Sequence, residues 1–409
     1  MKRVYETLLQ SFLEDFPCVA IIGVRQCGKT TLLKTLPSNW KQMDLERRAD
    51  FEVVARDPDA FFRLHPECVA LDEAQLAPNI FAALRVAIDD RRSERGRFVI
   101  TGSSSPALLR SLSDSLAGRV GIIELAPLSW EEVTESSEQD SLLARLQDLR
   151  TKISDLIDGL PRRGSLATAH NYWFRGGYPE PWLHEKSGFR DRWLEQYIRT
   201  FLQQDVKRLF PGLDEVRFRR FLEMLGGISG QVLNYAEIAR ALTVSQPTAR
   251  DYFEIAHGTL IWRQLPAFTR NTAKRIVKHP RGYLRDSGLC HALLRIPDTD
   301  ALLSHPRMGA SWEGMVIEEV IRQLNARGIS HESSYYRTTG GAEVDLVLEG
   351  PFGLIAIEIK HHSSIARREL RPLRDFVAEY EARLGIVINN DTEIRQYDDR
   401  LLGVPFQHL

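Results

Sequence analysis

Residues 21–31 read Ile-Ile-Gly-Val-Arg-Gln-Cys-Gly-Lys-Thr-Thr and contain the spacing Gly-x-x-x-x-Gly-Lys-Thr. The glycines allow the backbone to curl so that its N–H groups point at a phosphate group. In such a loop Lys29 reaches the β- and γ-phosphates of a nucleotide, and the hydroxyl of Thr30 coordinates Mg²⁺. A helix that starts near Lys29 adds the positive end of its dipole. The stretch predicts a phosphate-binding site made of Gly23, Val24, Arg25, Gln26, Cys27, Gly28, Lys29, Thr30 and Thr31.

The sequence on either side of this loop favours a phosphate site over a glycine-rich turn that binds nothing. Residues 18–22 are apolar, as expected of a buried strand, and residues 31–34 continue in a helical pattern. Strand, loop and helix in this order are the context in which the motif binds phosphate. Cys27 lies inside the loop, where its thiol is either open to modification or a small tolerated side chain.

A second strand supplies carboxylates to the same site. Residues 67–73 form an apolar run that ends in Asp72 and Glu73. Asp72 would contact Mg²⁺, directly or through water, and Glu73 would polarise the attacking water as general base. Taken alone, the run is equally consistent with a solvated strand end. Its position 43 residues after Lys29 (72 − 29), with a strand and helix pattern between, favours the carboxylate role.

Three serines, Ser103, Ser104 and Ser105, follow the next apolar strand, residues 97–100. Ligands of parallel sheets gather at the carboxyl edge of the strands, so Ser103 or Ser104 is placed to sense the γ-phosphate or to orient water. The alternative is a helix N-cap, with Ser104 or Ser105 ahead of Pro106. Both roles are compatible if different serines fill them.

Arg119 precedes a further strand pattern at residues 121–125. An arginine at this place is a candidate arginine finger, which supplies positive charge to the γ-phosphate held by a neighbouring subunit. The alternative is a surface arginine in an ion pair. The sequence leaves both roles open.

The bulk composition is that of a soluble globular protein. The chain has 409 residues, of which 43% are hydrophobic and 27% charged, and its net charge is −1. The length predicts about two to four domains, and the near-zero charge means that nucleic-acid binding would depend on a local patch. No apolar run approaches the roughly 18 residues of a membrane span, and the four cysteines have neither paired nor metal-ligand spacing. We therefore expect a cytoplasmic protein that does not bind membranes.

Strand and helix patterns alternate through residues 17–125, which predicts a parallel sheet flanked by helices. The stretches Gly-x-Arg-Gln-x-Gly-Lys-Thr-Thr-Leu, Leu-Asp-Glu-Ala-Gln, Thr-Gly-Ser-Ser-Ser and Leu-Ala-Gly-Arg follow in that order. They resemble the bacterial and archaeal AAA+ ATPases that carry a C-terminal DUF4143 region, and residues 176–180 and 283–289 match further signature stretches of those proteins. The resemblance covers nearly the whole chain. It implies ATP binding, an AAA+ fold and a nuclease-like tail.

The predicted fold class is α/β. It comprises a P-loop AAA+ ATPase domain with a parallel sheet, a helical middle, a winged helix and a C-terminal α/β domain like that of restriction endonucleases. The predicted domains are a P-loop AAA+ ATPase core at 1–130, a helical linker or lid region at 131–225, a winged-helix domain at 226–300 and a PD-(D/E)xK nuclease-like (DUF4143) domain at 301–409.

Residues 235–253 predict two helices joined by a short turn, the pattern of a helix-turn-helix. Ser245 is expected to cap the second helix, and Pro247 lies in its first turn. A strand and a basic hairpin tip follow, and residues 270–285 contain no acid. The predicted DNA contacts are Gln246, Thr248, Arg250, Arg270, Lys274, Arg275 and Lys278. Docking of a protein stays open as the alternative, because the second helix has few base-reading side chains.

Two further strands flank the turn at residues 350–353. Isoleucines at every second position of the later strand face one way, while Glu358 and Lys360 face the other. With Asp345 on the partner strand, the pattern resembles the PD-(D/E)xK nuclease core. In that core Asp345 and Glu358 would hold Mg²⁺, Lys360 would position or activate the attacking water, and Glu318 matches the upstream acid. The alternatives are a solvated edge strand and a tail that binds DNA without cutting it.

These patterns predict an AAA+ protein that binds and hydrolyses ATP, uses Mg²⁺ and acts on DNA, including branched DNA. A homo-oligomer such as a ring or hexamer is expected. The alternative function is a nucleotide-switched scaffold that docks a protein partner and carries a catalytically inactive nuclease-like tail. Magnesium-dependent DNA cleavage is left open.

Overall fold

The computed structural model describes residues 2–104, 108, 112, 114–135, 140–147, 152–184, 186–207, 210, 212–270 and 279–409. The chain divides into two compact units. The N-terminal unit comprises Lys2–Leu128 and the short segment Gly258–Leu260, and the C-terminal unit comprises Ser129–His257 and Ile261–Leu409. The finer division into four domains stays a prediction.

A parallel sheet forms the centre of the N-terminal unit. Its strands are β1 (Cys18–Gly23), β2 (Lys41–Asp44), β3 (Val69–Asp72), β4 (Phe98–Ser103) and β5 (Val120–Leu125). They lie in the order β2-β3-β4-β1-β5, and each neighbouring pair is parallel. β1 is buried along its whole length, as expected of an apolar strand in the middle of a parallel sheet. The parallel sheet predicted for this part of the chain is confirmed.

Helices connect these strands. They are α1 (Tyr5–Asp15), α2 (Lys29–Leu33), α3 (Arg48–Ala55), α4 (Pro58–Leu64) and α5 (Ile80–Asp89), with a 3₁₀ turn at Ala74–Leu76. α4 begins where Asp57 accepts a hydrogen bond from the N–H of Ala60 and Pro58 occupies the first turn. Phe62 of α4 packs edge-on against Phe98 of β4, which fixes the helix on the sheet.

The C-terminal unit begins with helices. They are α6 (Trp130–Val133), α7 (Leu142–Leu146), α8 (Ile153–Ile157), α9 (Leu166–Arg175), α10 (Pro179–Leu183), α11 (Phe189–Thr200), a π-helical turn (Phe201–Val206) and α12 (Glu215–Ile228). A serine caps the start of α6, α7 and α9: Ser129, Ser141 and Ser165 each accept a hydrogen bond from a backbone N–H of the first turn.

A small antiparallel sheet follows these helices. Its strands are β6 (Gln231–Val232), β7 (Trp262–Leu265) and β8 (Arg281–Leu284), in the order β6-β8-β7. Between β6 and β7 lie α13 (Tyr235–Leu242) and α14 (Gln246–Gly258). The Oγ atom of Ser245 accepts a hydrogen bond of 3.2 Å from the N–H of Thr248, which confirms the predicted helix cap.

A mixed sheet forms the rest of this unit. The elements are α15 (Ser287–Leu293), α16 (Thr299–Leu303), α17 (Met308–Ala326), β9 (Glu332–Arg337), β10 (Glu343–Gly350), β11 (Gly353–Ile359), α18 (Arg371–Glu379), β12 (Leu384–Asn389), β13 (Arg395–Asp398), β14 (Leu401–Pro405) and a 3₁₀ turn (Phe406–His408). The strand order is β13-β14-β12-β11-β10-β9. β9, β10 and β11 pair antiparallel, whereas β11, β12 and β14 run parallel. One face of β11 packs in the core that contains α17, and its other face packs in the core that contains α18.

Two of the signature stretches, far apart in sequence, touch inside this unit. The Oδ2 atom of Asp286 accepts a hydrogen bond of 2.7 Å from the N–H of Gly177. Gly176 has a φ of +74°, and a Cβ atom at this position would lie 2.3 Å from Asp286 Oδ1. A Cβ at Gly288 would lie 2.0 Å from the carbonyl oxygen of Arg175. Only glycine fits at both positions because the two chain segments are in direct contact.

Among the residues that the structure describes, we find no helix with both the length and the apolar character needed to cross a bilayer.

Candidate functional site

The phosphate-binding loop lies between β1 and α2, at the carboxyl end of β1. Gln26 and Gly28 have φ angles of +63° and +101°, so the backbone curls through left-handed conformations there. A Cβ atom at Gly23 would lie 2.5 Å from the carbonyl oxygen of Leu125, which excludes any side chain. The two glycines of the motif are therefore required for different reasons. Gly23 lies too close to the backbone of β5 for a side chain, and Gly28 adopts a left-handed backbone conformation.

Lys29 is buried at the start of α2. Its Nζ atom donates to the carbonyl oxygens of Gly23 (3.3 Å) and Val24 (3.2 Å) of the same loop. These neutral acceptors are weaker partners for an ammonium group than a phosphate oxygen would be. An anion bound in the loop would therefore be a better partner for the Lys29 ammonium group than the two carbonyl oxygens are.

Arg3 supports the loop, and nothing in the sequence pattern indicated this. Its guanidinium group donates to the carbonyl oxygens of Cys27 (2.6 Å) and Ala126 (2.7 Å). The thiol of Cys27 is buried, and burial raises its pKa even though Lys29 and Arg3 oppose the shift. A buried neutral thiol is a poor nucleophile, which favours the role of a small tolerated side chain.

Asp72, at the end of β3, connects the start of α2 to β4. The hydroxyl of Thr30 donates to Asp72 Oδ2 over 2.7 Å, and the hydroxyl of Thr101 donates to Asp72 Oδ1. Thr101 also accepts a hydrogen bond of 3.2 Å from the N–H of Glu73. The predicted magnesium-binding pair, Thr30 and Asp72, is thus in direct contact. Thr101 belongs to β4 and was not predicted as a site residue.

Glu73 is held in an unusual conformation. Its φ angle is +56°, a left-handed value that is uncommon for a non-glycine residue. The side-chain amide of Gln75 donates to Glu73 Oε2. A Cβ atom at Gly102 would lie 2.3 Å from Gln75 Oε1, so the glycine of Thr-Gly-Ser makes room for this amide. Gln75 thus binds the carboxylate that the sequence predicts as general base, and Thr101 holds the backbone of the same residue.

The two candidate sensor serines differ in position. Ser103 ends β4 and lies opposite Gly23 of β1 in the sheet register. The N–H of Ser104 donates to the carbonyl oxygen of Gly23 over 3.2 Å, and its hydroxyl donates to the carbonyl oxygen of Gly258 over 2.7 Å. Both serines thus lie beside the start of the loop, and their sensor role stays a prediction. The alternative cap at Ser105 falls outside the described residues.

Arg119 forms a two-pronged ion pair with Asp89. Its Nε and Nη2 atoms lie 2.7 and 2.9 Å from the two carboxylate oxygens. This is the ion pair that the sequence left open as the alternative. A finger role toward a neighbouring subunit stays a prediction and requires the guanidinium to leave Asp89.

The N-terminal site fits a nucleotide with magnesium. The loop offers backbone N–H groups and a buried ammonium to phosphate, and a hydroxyl and a carboxylate, the oxygen ligands that Mg²⁺ prefers, adjoin it. The predicted residues from Gly23 to Thr31, with Asp72 and Glu73, lie at the carboxyl edge of β1, β3 and β4. The role of each residue stays a prediction.

A second cluster of charged side chains lies in the C-terminal unit. The Nζ atom of Lys360 is 2.6 Å from Glu358 Oε1, and Asp345 Oδ2 accepts a hydrogen bond of 2.8 Å from the N–H of Ile359. Arg281 of β8 contacts Glu313 of α17 over 2.9 Å. Arg281 also contacts Asp345 (3.6 Å), Glu343 and the hydroxyl of Tyr283 (3.4 Å), and that hydroxyl donates to Glu313.

The carboxylates of this cluster hold protons more strongly than usual. Burial, and then the charge of Asp345, raise the pKa of Glu313 to about 7 and that of Glu358 to about 8. Burial also raises the pKa of Asp345, against the opposing effect of Lys360. Arg281 and Lys360 face four acids, Glu313, Glu343, Asp345 and Glu358, so the acids outnumber these two cations.

Glu318 does not join this cluster in the structure. It lies on α17 with Glu313 but forms ion pairs with Arg263 and Arg285, the latter at 3.3 Å. These arginines lower the pKa of Glu318 even though its burial acts in the opposite direction. The acid of α17 that interacts with Asp345 is Glu313, five residues earlier. The role of Glu318 as the upstream acid stays a prediction.

The C-terminal cluster does not fit a divalent metal ion as it stands. Its acids are already bound to Arg281 and Lys360. In the part of the chain that the structure describes, no three His, Cys, Asp or Glu side chains are grouped so that they could hold a metal ion. Metal binding by Asp345 and Glu358 stays a prediction.

The predicted DNA contacts are only partly described. Gln246 and Arg250 are exposed on α14, and the guanidinium of Arg250 lies 5.1 Å from the ring centre of Tyr235. Thr248 Oγ1 lies 2.8 Å from Ser245 Oγ. Arg270 forms an ion pair with Glu349. Lys274, Arg275 and Lys278 lie outside the described residues.

The basic region between 270 and 285 is less available than its composition indicated. Arg281 is buried against acids of β10 and α17, and Arg285 binds Glu318. Together with Arg270, these residues are neutralised within the chain. Composition counts charges, whereas binding depends on which of them lack a carboxylate neighbour.

Three regions of the chain match models of known protein families. Family profiles match an AAA domain (AAA_14) at residues 15–134, a domain of unknown function (DUF8612) at 166–300 and a domain of unknown function (DUF4143) at 308–409. The AAA match confirms the P-loop AAA+ fold predicted for the N-terminal unit. The DUF4143 match confirms the predicted DUF4143 region, and its nuclease-like nature stays a prediction.

Two relatives match over nearly the whole chain. They are the uncharacterized protein Rv2008c of Mycobacterium tuberculosis and the uncharacterized protein Mb2031c of Mycobacterium bovis. Each is 34% identical over 408 residues, which is 98% of this chain and 82% of the relative. Among solved structures, the chain is similar to the Walker-type ATPase PABY2304 of Pyrococcus abyssi, with a TM-score of 0.44 and 16% identity over 71% of this chain and 94% of that one.

Proposed function

This chain belongs to the family of proteins that join an AAA domain to a C-terminal DUF4143 domain, and from that premise we propose that it hydrolyses ATP and acts on DNA. The observation that carries the ATPase part of the proposal is the contact of Thr30, Asp72 and Thr101, which brings the loop and two strand ends to one point. A turn without a ligand has no need of a hydroxyl and a carboxylate beside a buried lysine. The same groups are the ones that a nucleotide with magnesium requires.

The chemistry would proceed at the γ-phosphate. Glu73 accepts a proton from water while the water oxygen attacks phosphorus, and the bond from phosphorus to the bridging oxygen breaks to release ADP. Lys29 stabilises the negative charge that accumulates on the phosphate oxygens. Mg²⁺, held by Thr30 and Asp72, would neutralise the same charge. Gln75 and Thr101 keep Glu73 oriented toward the water.

DNA contact is proposed for α13 and α14. The helices and the small sheet around them have the element order of a winged helix, and Gln246 and Arg250 are exposed near the start of α14. Gln and Arg side chains at the start of a recognition helix read base edges in the major groove. A homo-oligomer, ring or hexamer is proposed on the resemblance to AAA+ ATPases, and light scattering with and without ATP measures its mass.

A protein-docking scaffold is the second candidate function. The internal neutralisation of Arg270, Arg281 and Arg285 favours it, because less positive charge remains for a phosphate backbone. In this alternative, ATP binding switches a surface that a protein partner recognises. Its binding would be insensitive to salt, unlike binding to DNA.

Steady-state ATP turnover with Mg²⁺ separates the two functions. Turnover is measured without DNA and with single-stranded, duplex and four-way-junction DNA, and each DNA is inspected for nicks afterwards. The Lys29→Ala variant is the blank, and Lys34→Ala, an exposed lysine near the end of the same helix, is its matched control.

Each result has a clear meaning. Loss of turnover in Lys29→Ala with retention in Lys34→Ala supports the ATPase, and unchanged turnover in Lys29→Ala contradicts it. Stimulation by one form of DNA supports action on that DNA. Turnover that is the same without DNA and with each of the three forms of DNA favours the scaffold.

A further inference from the structure

The buried acids of the C-terminal unit are paired with an arginine of the same unit. We propose that Arg281 is the resident cation of a carboxylate pocket formed by Glu313, Glu343 and Asp345, and that it excludes a divalent metal ion from this pocket. The guanidinium lies 2.9 Å from Glu313 and 3.6 Å from Asp345 and also contacts Glu343. The pocket is therefore a closed structural site, whose arrangement resembles a nuclease centre without its metal.

The positive charge of Arg281 is permanent, and the neighbouring acids keep it so against the effect of burial. Only 6% of the Arg281 side chain is exposed, and its guanidinium also lies 5.2 Å from the ring centre of Tyr335. Arginine does not lose its proton in proteins, so the positive charge persists at every physiological pH. A buried guanidinium without its acids would be strongly unfavourable, which ties Arg281 to the pocket.

The backbone around Arg281 gives it little freedom to withdraw. β8 is the central strand of the small sheet, paired with β6 on one side and β7 on the other. At the neighbouring Gly282, a Cβ atom would lie 2.0 Å from the ring of Trp262, so the strand is pressed directly onto that side chain. Alternation along the strand places Tyr283 on the same face as Arg281, and its hydroxyl also binds Glu313.

A divalent ion would compete for the same oxygens. Mg²⁺ and Ca²⁺ bind carboxylate oxygens at about 2.0–2.6 Å, so an ion between Glu313 and Asp345 would have to displace the guanidinium that contacts both. Lys360 occupies the remaining acid, Glu358, in the same manner over 2.6 Å. Two monovalent cations thus stand where a metal-dependent nuclease would use a metal ion, and among the described residues the Oε2 atom of Glu358 is left without a hydrogen-bond partner.

Manganese binding to the full chain tests this inference directly. Electron paramagnetic resonance counts bound Mn²⁺ without nucleotide in the unmodified protein and in Asp345→Asn. We expect the same count in both, because the pocket takes no metal. One Mn²⁺ fewer in Asp345→Asn would overturn the inference, and Glu313→Gln repeats the comparison if Asp345→Asn does not fold.

The Arg281→Gln variant supplies the converse test. Removing the guanidinium leaves its acids without their cation, so this variant should bind one additional Mn²⁺, and Arg281→Gln combined with Asp345→Asn should lose it. Arg270→Gln, which breaks an exposed ion pair, is the matched control and should gain none. A folded Arg281→Gln that gains no Mn²⁺ would show that Arg281 does not keep metal out. The Asp345→Asn comparison decides the question if Arg281→Gln fails to fold.

Discussion

The hydroxyl of Thr30 and the carboxylate of Asp72 are joined by a hydrogen bond of 2.7 Å, although 42 residues separate them in the chain. The bond links the first turn of α2 to the end of β3. It places a hydroxyl and a carboxylate side by side at the edge of the sheet. Thr101 holds the other oxygen of the same carboxylate, so Asp72 is oriented from both sides.

Thr101 should act as a positioning residue for Asp72 and Glu73. We expect Thr101→Val to lower ATP turnover by roughly 10- to 100-fold, because one lost charge-assisted hydrogen bond corresponds to about 1.5–3 kcal/mol. Thr101→Ser retains the hydroxyl and should recover most of the turnover. Equal losses in Thr101→Val and Thr101→Ser would mean that packing at this position, and not the hydroxyl, is required.

Glu73→Gln should separate ATP binding from hydrolysis. The amide cannot accept the proton of the attacking water, so we expect turnover to fall at least ~100-fold. Affinity for a fluorescent ATP analogue should stay close to that of the unmodified protein, because the loop and Lys29 are untouched. Glu67→Gln serves as control, because it changes an exposed acid just before β3, the strand that Glu73 follows. Normal turnover in Glu73→Gln would rule out this residue as general base.

Arg119 can be tested by mixing variants. Since Arg119 is paired with Asp89 in its own chain, we expect Arg119→Ala to retain turnover and to behave like Asp89→Ala. Both changes should leave the urea midpoint almost unaltered, because solvent screens this exposed pair. If Arg119→Ala is inactive and a mixture with Glu73→Ala regains activity, the arginine serves a neighbouring subunit after all.

Glu318 should be a strong contributor to stability. Only 5% of its side chain is exposed, and its removal leaves Arg263 and Arg285 without their shared partner. We expect Glu318→Gln to lower the free energy of unfolding by about 3–5 kcal/mol, the usual effect of removing one partner of a buried ion pair. Urea unfolding measures it. The control Glu349→Gln breaks the exposed pair with Arg270 and should have a small effect, so similar losses would contradict the argument.

His291 should make the protein sensitive to acid. Burial is the main reason that its pKa is lowered to about 3, although the carbonyl oxygen of Phe174 partly opposes the shift. From about pH 6.5 down to 3 the unfolded chain binds a proton that the folded chain does not, so stability falls as pH falls, by up to about 1.4 kcal/mol per pH unit. The stabilising effect of the neutral ring is fully present above about pH 6.5.

Urea unfolding at pH 7.0, 5.5 and 4.5 measures the contribution of His291. The slope of stability against pH should be smaller in His291→Gln than in His279→Gln, whose side chain is exposed. Equal slopes in the two variants would show that other groups cause the acid sensitivity.

The nucleotide site could be predicted closely from the sequence because its geometry is local. Spacing alone places Gly23, Gly28, Lys29 and Thr30 in one loop, and the carboxyl ends of parallel strands meet at one edge. Thr101 begins the stretch Thr-Gly-Ser-Ser-Ser, but that stretch does not show which carboxylate the threonine hydroxyl contacts, so Thr101 was not predicted as a site residue. Its role depends on which strand lies next to β3, and only the fold shows that.

The C-terminal acids were harder to assign because Glu313 and Glu318 share one helix. Five residues correspond to a rotation of about 140° around a helix, so the two acids face different partners. Sequence alone does not say which face of α17 turns toward the sheet. Their ion-pair partners, Arg281 and Arg263, lie on the small antiparallel sheet and not on the mixed sheet that follows α17. No pattern in the sequence of α17 or of these strands predicts which acid pairs with which arginine.

The contact between Gly177 and Asp286 bears on how this protein can be dissected. A chain break between these residues would place the two contacting segments, residues 176–180 and 283–289, on separate polypeptides. A fragment that ends at residue 225 would retain Gly176 without the carboxylate that binds beside it. Fragments for crystallisation or partner screens should therefore keep residues 129–409 in one piece, and an inserted reporter belongs elsewhere.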